Sequence, residues 1–599
     1  MKRIKYFIFT LLAASTIFVS CDLDRNPLDK FAENDFWTSE DNAELALTGV
    51  YKGNILFNSP EYTPTDWWSY GGLIFMEFPT DNAYDRRGTN SNFHKMSDGT
   101  LLSNNAYTKA YWENSYAKIA RCNRFLEGIG NLSDPAVVAR FTAEARFIRA
   151  AQYFYLSQFF QDVPLVTKVL TKDEANTVKK NTKAEITDFI IKEFTEAAAD
   201  LPRFKDLKGS ETGRASKQAS LAFLGRTLLA AKKYSEAVAA YKEIIDLGDN
   251  AIDPDYASLF LPSNENSSEN IFSMQYLQDL AGNAMPQHAF PVKDGGWCLI
   301  NVAAGLFEAY QFKDGTPFSY DSPLYNPDNL GENRDPRLDY TIYYNGSTFK
   351  GAVYDCHPDS QSPDKVMGGQ TTQTGFMMRK YFDETFSGDL NSYGGNVPVI
   401  RYAEVLLSYL EAKLEAGEGI TQALLDETIN KVRGRASVQM PAITEVNAGK
   451  LRPILRNERR VELAMEGIRY WDLLRWGIAH EVLNGDIYGA PFPGSQRVSV
   501  KPGGEPDKYG RWWVNSRAFR QEQDYKWPIP QSDQDINPNW RSGTMLVVHE
   551  AIQINYYHEI NNRIGNRSYL VGLLFRKQTE DGRESNTATE AERYFPDSR

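Results

Sequence analysis

Two consecutive stretches, Ser216 to Lys232 and Tyr234 to Leu247, read as amphipathic helices separated by one residue. Leu224-Gly225 in the first, with Ala237, Tyr241 and Ile244 in the second, follow the spacing of a tetratricopeptide repeat. Small residues let the two helices cross closely, and the tyrosine wedges between them. An ordinary antiparallel helix hairpin would use the same residues. In either case one pair cannot bury its own apolar face, so further helices must stack on it. The chain supplies them. Ser39 or Asp41 caps a helix to about Lys52, and helical periodicity runs from Tyr111 to Ile129, Pro135 to Phe160 and Lys183 to Ala199. Within Pro135 to Phe160, Ala143, Phe147 and Ala150 recur at i, i+4 and i+7. Arg401 to Ala416 and Thr421 to Arg435 form another pair.

Between these helices lie long segments rich in Gly, Pro, Asn and Asp, at 58–110, 250–395 and 485–540. Irregular segments longer than about 15 residues are usually functional or disordered. Trp297, Phe307, Tyr310, Phe312, Phe318, Tyr320 and Tyr325 argue for order in the second, and Leu338 to Tyr344 reads as a short strand. The third carries Trp512, Trp513, Trp527 and Trp540 in a loop-like context. The expected fold is mostly α: a tetratricopeptide-like helical repeat scaffold with large irregular loop insertions and a few short strands.

The N-terminus is an address. Lys2, Arg3 and Lys5 precede an apolar run from Tyr6 to Val19, too short for a bilayer core that needs ~20 helical residues. The run ends in Phe18-Val19-Ser20-Cys21, which resembles a bacterial lipoprotein box with Cys21 as the lipidated residue. A plain signal peptide would leave that cysteine coincidental. Several acyl chains, at ~0.8 kcal/mol per buried CH₂, would anchor the chain firmly. Cys122, Cys298 and Cys356 remain, so at least one is unpaired. A formal charge of −12 argues against nucleic acid as a partner. A mean hydropathy of −0.49 excludes a polytopic membrane protein.

Ile454 to Gly477 reads as one helix with Glu458, Glu462, Glu466, Arg469, Asp472 and Arg475 along one face. That spacing pairs Glu466 with Arg469 and Asp472 with Arg475. A structural ion network under a packed bundle explains it without an acid–base pair, since no nucleophile or metal motif lies beside it.

In order along the chain stand Leu23-Asp24 with Pro27, Asp162-Val163-Pro164-Leu165-Val166, Gly213-Arg214-Ala215-Ser216-Lys217, Arg334-Asp335-Pro336-Arg337-Leu338 and Arg379-Lys380-Tyr381. They are followed by Arg401-Tyr402-Ala403-Glu404, Arg459 to Gly467 running into Trp471-Asp472-Leu473, Trp527-Pro528-Ile529-Pro530 and Asn537-Pro538-Asn539. In this order and spacing the chain resembles the SusD/RagB family of lipoproteins from Cys21 to about Gly543. The resemblance divides it into a signal peptide (1–20), an N-terminal helical repeat region (21–250) and a C-terminal region with ligand-facing insertions (251–543). Residues 544–599 are an extension without a family counterpart. Gln161 also departs from the pattern, standing where the family often has glycine.

The resemblance implies a lipid-anchored outer-membrane protein facing the cell exterior, with a SusC-like TonB-dependent transporter as partner. It implies capture of oligosaccharides, or peptides in some members, and neither catalysis nor a cofactor. A sugar ring has an apolar C–H face, which a flat aromatic ring covers, and a rim of hydroxyls, which Asp, Asn or Arg serves. Two loop segments carry that combination: Trp67, Trp68 and Tyr70 with Asp81, Asn82 and Arg86, and Trp297 with Tyr320 and Tyr325. Packing of these rings onto the scaffold is the competing account. Phosphate-loop and nucleophile-elbow motifs are absent. His480-Glu481 and His549-Glu550 are followed by Asn484 and Gln553 where a zinc helix needs histidine. A secreted glycoside hydrolase, which needs only two carboxylates, is the alternative outside the binding class.

Overall fold

The computed structural model describes residues 36–52 and 66–541. The signal peptide, Cys21 and the 544–599 extension lie outside the described residues. The described residues through Asn539 belong to one compact unit.

Its frame is helical. Helix α1 (Glu40–Lys52) precedes α2 (Ala106–Gly128), α3 (Pro135–Phe159), α4 (Lys183–Asp200), α5 (Lys217–Ala230) and α6 (Tyr234–Leu247). Local chemistry sets their starts. The Asn105, Asp134, Thr182 and Ser216 side chains accept from first-turn N–H groups, and Thr182 forms a reciprocal capping box with Glu185. Gly248, at φ 66°, closes α6 in the left-handed conformation that glycine adopts without penalty. Neighbours in sequence pack as neighbours in space, from α2 on α3 through α5 on α6. The expected wedge is present: a Cβ on Gly225 would lie 2.4 Å from Cζ of Tyr241.

The stack continues through α7 (Tyr402–Glu415) and α8 (Ala448–Glu462). Here the sequence reading needs two corrections. Thr421 to Arg435 is not one helix but two short ones, Gln422–Glu427 and Ile429–Arg433, broken at Thr428 (φ −121°, ψ −97°). The helix expected from Ile454 to Gly477 ends at Glu462, and α9 (Arg469–Arg475) starts after a turn with Met465 and Gly467 at positive φ. Gly467 is required there, because a Cβ would lie 2.1 Å from the Leu73 carbonyl oxygen.

The turn also redirects the charges. Asp472 pairs with Arg475 at 2.8 Å, as the spacing predicted. Glu466 does not pair with Arg469; it meets Lys380 at 2.6 Å and Arg401 at 2.7 Å, while Arg469 reaches Asp81 at 2.9 Å. Arg337 holds Glu458 and Glu462, Arg435 holds Glu269 and Glu462, and Arg459 holds Glu404 and Asp472. The ion network is thus structural and lies in the core.

Strands are short. β1 (Ala83–Asp85) pairs antiparallel with β3 (Ile300–Val302), with Tyr84 opposite Asn301; β2 (Asn270–Met274) pairs antiparallel with β4 (Val397–Arg401). Leu338 to Tyr344 is mostly a helical turn, Arg337–Thr341, followed by the two-residue strand Ile342–Tyr343. The segment 485–540 is not all loop: β5 (Asn484–Pro491) and β6 (Arg511–Ala518) form an antiparallel pair, with Trp513 opposite Tyr488. Cys122, Cys298 and Cys356 are all free and buried.

Candidate functional site

The first loop segment proposed for ligand contact went inward. Trp67, Trp68 and Tyr70 are buried. Trp67 stacks on Tyr111 with centroids 4.0 Å apart and on Tyr155 at 4.7 Å, and its Nε1 donates to Ser115 Oγ at 3.0 Å. Trp68 packs on Phe147 and Phe272, with the Lys118 ammonium over its ring. Tyr70 is hydrogen-bonded to His288, which burial pushes down to about 3. These rings form the interface between the 66–78 segment and the helical stack, so none of them is an exposed platform.

Asn82 is buried too: it donates to Glu77 Oε2 at 2.9 Å and accepts from Arg460 Nε at 2.7 Å. Asp81 receives Arg460 at 2.8 Å and Arg469 at 2.9 Å. Burial alone would raise its pKa, but the two guanidiniums prevail and hold it below the usual carboxylate range. Arg86 stays half-buried where the β1–β3 ribbon runs on, its N–H donating to Leu299 O at 3.1 Å. Trp297 is half-buried, its ring 5.2 Å from that of His288.

Tyr320 and Tyr325 do come together at the surface. Their rings meet edge to face at 5.2 Å, and Tyr320 stacks on Tyr509 at 4.7 Å and 21°. Tyr320 Oη donates to Glu308 at 3.0 Å, and Tyr509 Oη donates to Asp321 at 2.7 Å. Burial, and then Glu308 beside it, push the Tyr320 phenol well up, which keeps it a donor at neutral pH. Arg511 ties this group to the β5–β6 hairpin. Its guanidinium reaches Glu308 at 3.0 Å and Asp507 at 2.8 Å and lies over the Tyr488 ring, 4.3 Å from the centroid.

Beside this group is a cleft of about 130 Å³, lined by Asp81, Ala303 to Gly305, Glu308, residues 482–488, Arg511 and Arg517. Half-buried rings, Tyr488 and Trp513 on the hairpin and Tyr320, Tyr325 and Tyr509 by Glu308, thus alternate with fixed carboxylates and guanidiniums. Such an arrangement can cover an apolar ring face while offering hydrogen bonds at its edge. Tyr488, Tyr509, Glu308 and Arg511 were not singled out from sequence, and Trp513 was noted there only as a loop tryptophan, not as a ligand contact. The aromatic and β-branched run Trp512-Trp513-Val514 was the available strand signal, and the surrounding Gly and Pro masked it.

Comparison with known proteins places the chain. Residues 263–542 match a model described as the SusD family, and residues 74–229 one described as "Starch-binding associating with outer membrane". A solved SusD-like carbohydrate binding protein from Bacteroides fragilis NCTC 9343 is 56% identical, with a TM-score of 0.83 over 84% of this chain and 100% of that one. A second SusD-like protein from the same strain is 26% identical, with a TM-score of 0.71 over 86% of this chain and 99% of that one. Among curated proteins, SusD-like protein P38 of Formosa agariphila is 24% identical over 82% of this chain and 95% of its own length. A laminarin binding SusD-like protein, 23% identical over 84% of this chain and 98% of that one, shares the fold with a TM-score of 0.62. The helical stack, the inserted loops and these matches agree: the chain belongs to the SusD family.

Proposed function

We propose that this protein is a glycan-binding lipoprotein of the outer membrane, anchored through Cys21 and facing the exterior. It captures oligosaccharides and passes them to a SusC-like TonB-dependent transporter. The observation that carries the binding reading is the cleft beside Tyr320, Tyr488 and Tyr509, where rings alternate with Glu308, Arg511 and Asp81. The carbohydrate-binding relative at 56% identity supports the same ligand class. Tyr325 and Trp513 complete the rim, and Trp297 with Arg86 supplies a further contact along the β1–β3 ribbon. Shallow stacking of this kind suits micromolar affinity, about −8 kcal/mol at 1 μM, which permits hand-over.

Calorimetric titration against a glycan panel tests the reading. Tyr320→Ala and Tyr488→Ala should each weaken the bound glycan about tenfold while the melting temperature holds. Binding of peptides alone, or release of hydrolysis products, would overturn it. Separately, Cys21→Ala should move the protein from the outer membrane to the soluble periplasmic fraction; retention in the membrane would exclude the anchor.

A further inference from the structure

Among the described residues every buried arginine holds a carboxylate except Arg334 and Arg517. Arg334 is sandwiched by rings, its guanidinium 3.9 Å from the Phe318 centroid and 4.4 Å from that of Phe307. Arg517 is different because it lines the cleft. It is 6% exposed, and its hydrogen bonds all go to backbone carbonyls, of Phe78 at 2.7 Å, Ala83 at 3.1 Å and Thr80. Its Nε donates to nothing among the described residues.

Among the described residues no carboxylate lies within ion-pair distance of it, and Asp81 and Asp98 act on it only from farther off. Arg460 and Arg469 grip the same six-residue segment, so three guanidiniums converge on Phe78–Ala83. The carboxylate within that segment, Asp81, is already shared between two of them. Glu77, just before it, is pushed up to about 7 by burial and is only partly ionised at neutral pH. Asp98 acts on Arg517 from farther off and accepts hydrogen bonds from the Thr100 N–H and hydroxyl. The other carboxylates that line the cleft are engaged, Glu308 by Arg511 and Asp486 by Lys501, each at 3.0 Å. A buried cation without a paired carboxylate is costly, and an anion entering the cleft would relieve that cost.

We propose that the cleft selects sugars bearing an anionic substituent, a carboxylate or a sulfate, with the charged group directed at the Arg517 side and the ring toward Tyr488. This deepens the glycan-binding reading and rests on it. The test compares matched pairs on the wild-type protein: an oligogalacturonide against its carboxyl-reduced form, and a sulfated oligosaccharide against its desulfated form. We expect at least a tenfold preference for the charged member of one pair, and which pair responds identifies the substituent. Tyr488→Ala should weaken that member about tenfold. Arg517→Gln should abolish the preference. Because loss of Arg517 can unfold the 78–83 segment, the matched pairs carry the test by themselves. Equal binding of charged and neutral members, weakened alike by Tyr488→Ala, would overturn the charge selection and leave glycan binding intact. Charged-ligand binding unaffected by Tyr488→Ala would overturn the site. Absence of binding to any carbohydrate would overturn both readings.

Discussion

Glu77 and Gln161 show how much a single position can store. Glu77 is buried, accepting from Asn82 Nδ2 and from the Gly467 N–H at 2.8 Å, and burial lifts its pKa from about 4.5 to about 7. The folded protein therefore binds this proton more tightly than the unfolded chain. Its contribution is fully present below the unfolded pKa and is lost as pH rises through the folded one. Between about pH 4.5 and 7 the change is at most about 3 kcal/mol. Glu77→Gln, which keeps one of the two acceptor oxygens and removes the titration, should flatten the fall in stability over that window, as read by urea melts at pH 5, 6, 7 and 8. Gln161 stands at φ 65°, in the region where a side chain meets steric resistance, and this is the position at which the family often has glycine. Its Nε2 donates to Tyr525 O at 3.3 Å, a weak return for the strain. Gln161→Gly should raise stability by up to about 1 kcal/mol, measured by denaturant unfolding.

At the scale of elements, the helices were legible because their signals are local. Caps at Asn105, Asp134, Thr182 and Ser216 and an apolar period need only neighbours along the chain. Two glycines separate local preference from packing. Gly225, in α5, lies against the Tyr241 ring, whereas a Cβ on Gly49, in α1, meets nothing within 4 Å. Gly49→Ala should therefore gain up to about 1 kcal/mol from helix propensity. Gly225→Ala should lose about 1–2 kcal/mol despite the same propensity, because the ring has to shift. Thermal melts of the two variants check the contrast, and equal gains would remove the wedge. The helix expected through Gly477 failed for a complementary reason: nothing along the chain announces that Glu466 will face Arg401 and Lys380 or that Gly467 will touch Leu73.

Across the whole molecule, the buried ion network joins α7, α8, α9 and the β2–β4 pair. Arg475 clamps Glu411 at 2.5 Å, and Glu462 lies between Arg337 and Arg435. Burial by itself would raise these carboxyl pKa values. Arg475 at Glu411, and Arg435, Arg401 and Arg337 at Glu462, overcome it and bring each down to about 2. Groups depressed in the folded state stabilise it above their unfolded pKa near 4.5 and lose that contribution as pH falls toward the folded value. The protein should therefore lose stability steeply between about pH 4.5 and 2, the opposite sense to Glu77 at higher pH. Calorimetric melting temperatures across pH 2–5 check this, and a flat profile would contradict the network's role.

The chain alone determined the helical stack, the family and the likeness of its first residues to a lipoprotein signal, because each is written in spacing or in short contiguous motifs. It also supplied aromatic residues for a binding surface, but not their destinations. Trp67 and Tyr320 stand in similar loop contexts, yet one is stacked in the core and the other edges a cleft. Burial is decided by which distant segments arrive against a ring. Only the tertiary structure brought the hairpin's Tyr488 and Arg511 to Glu308 and Tyr320, and only there did Arg517 emerge as a buried cation held by carbonyls instead of a carboxylate.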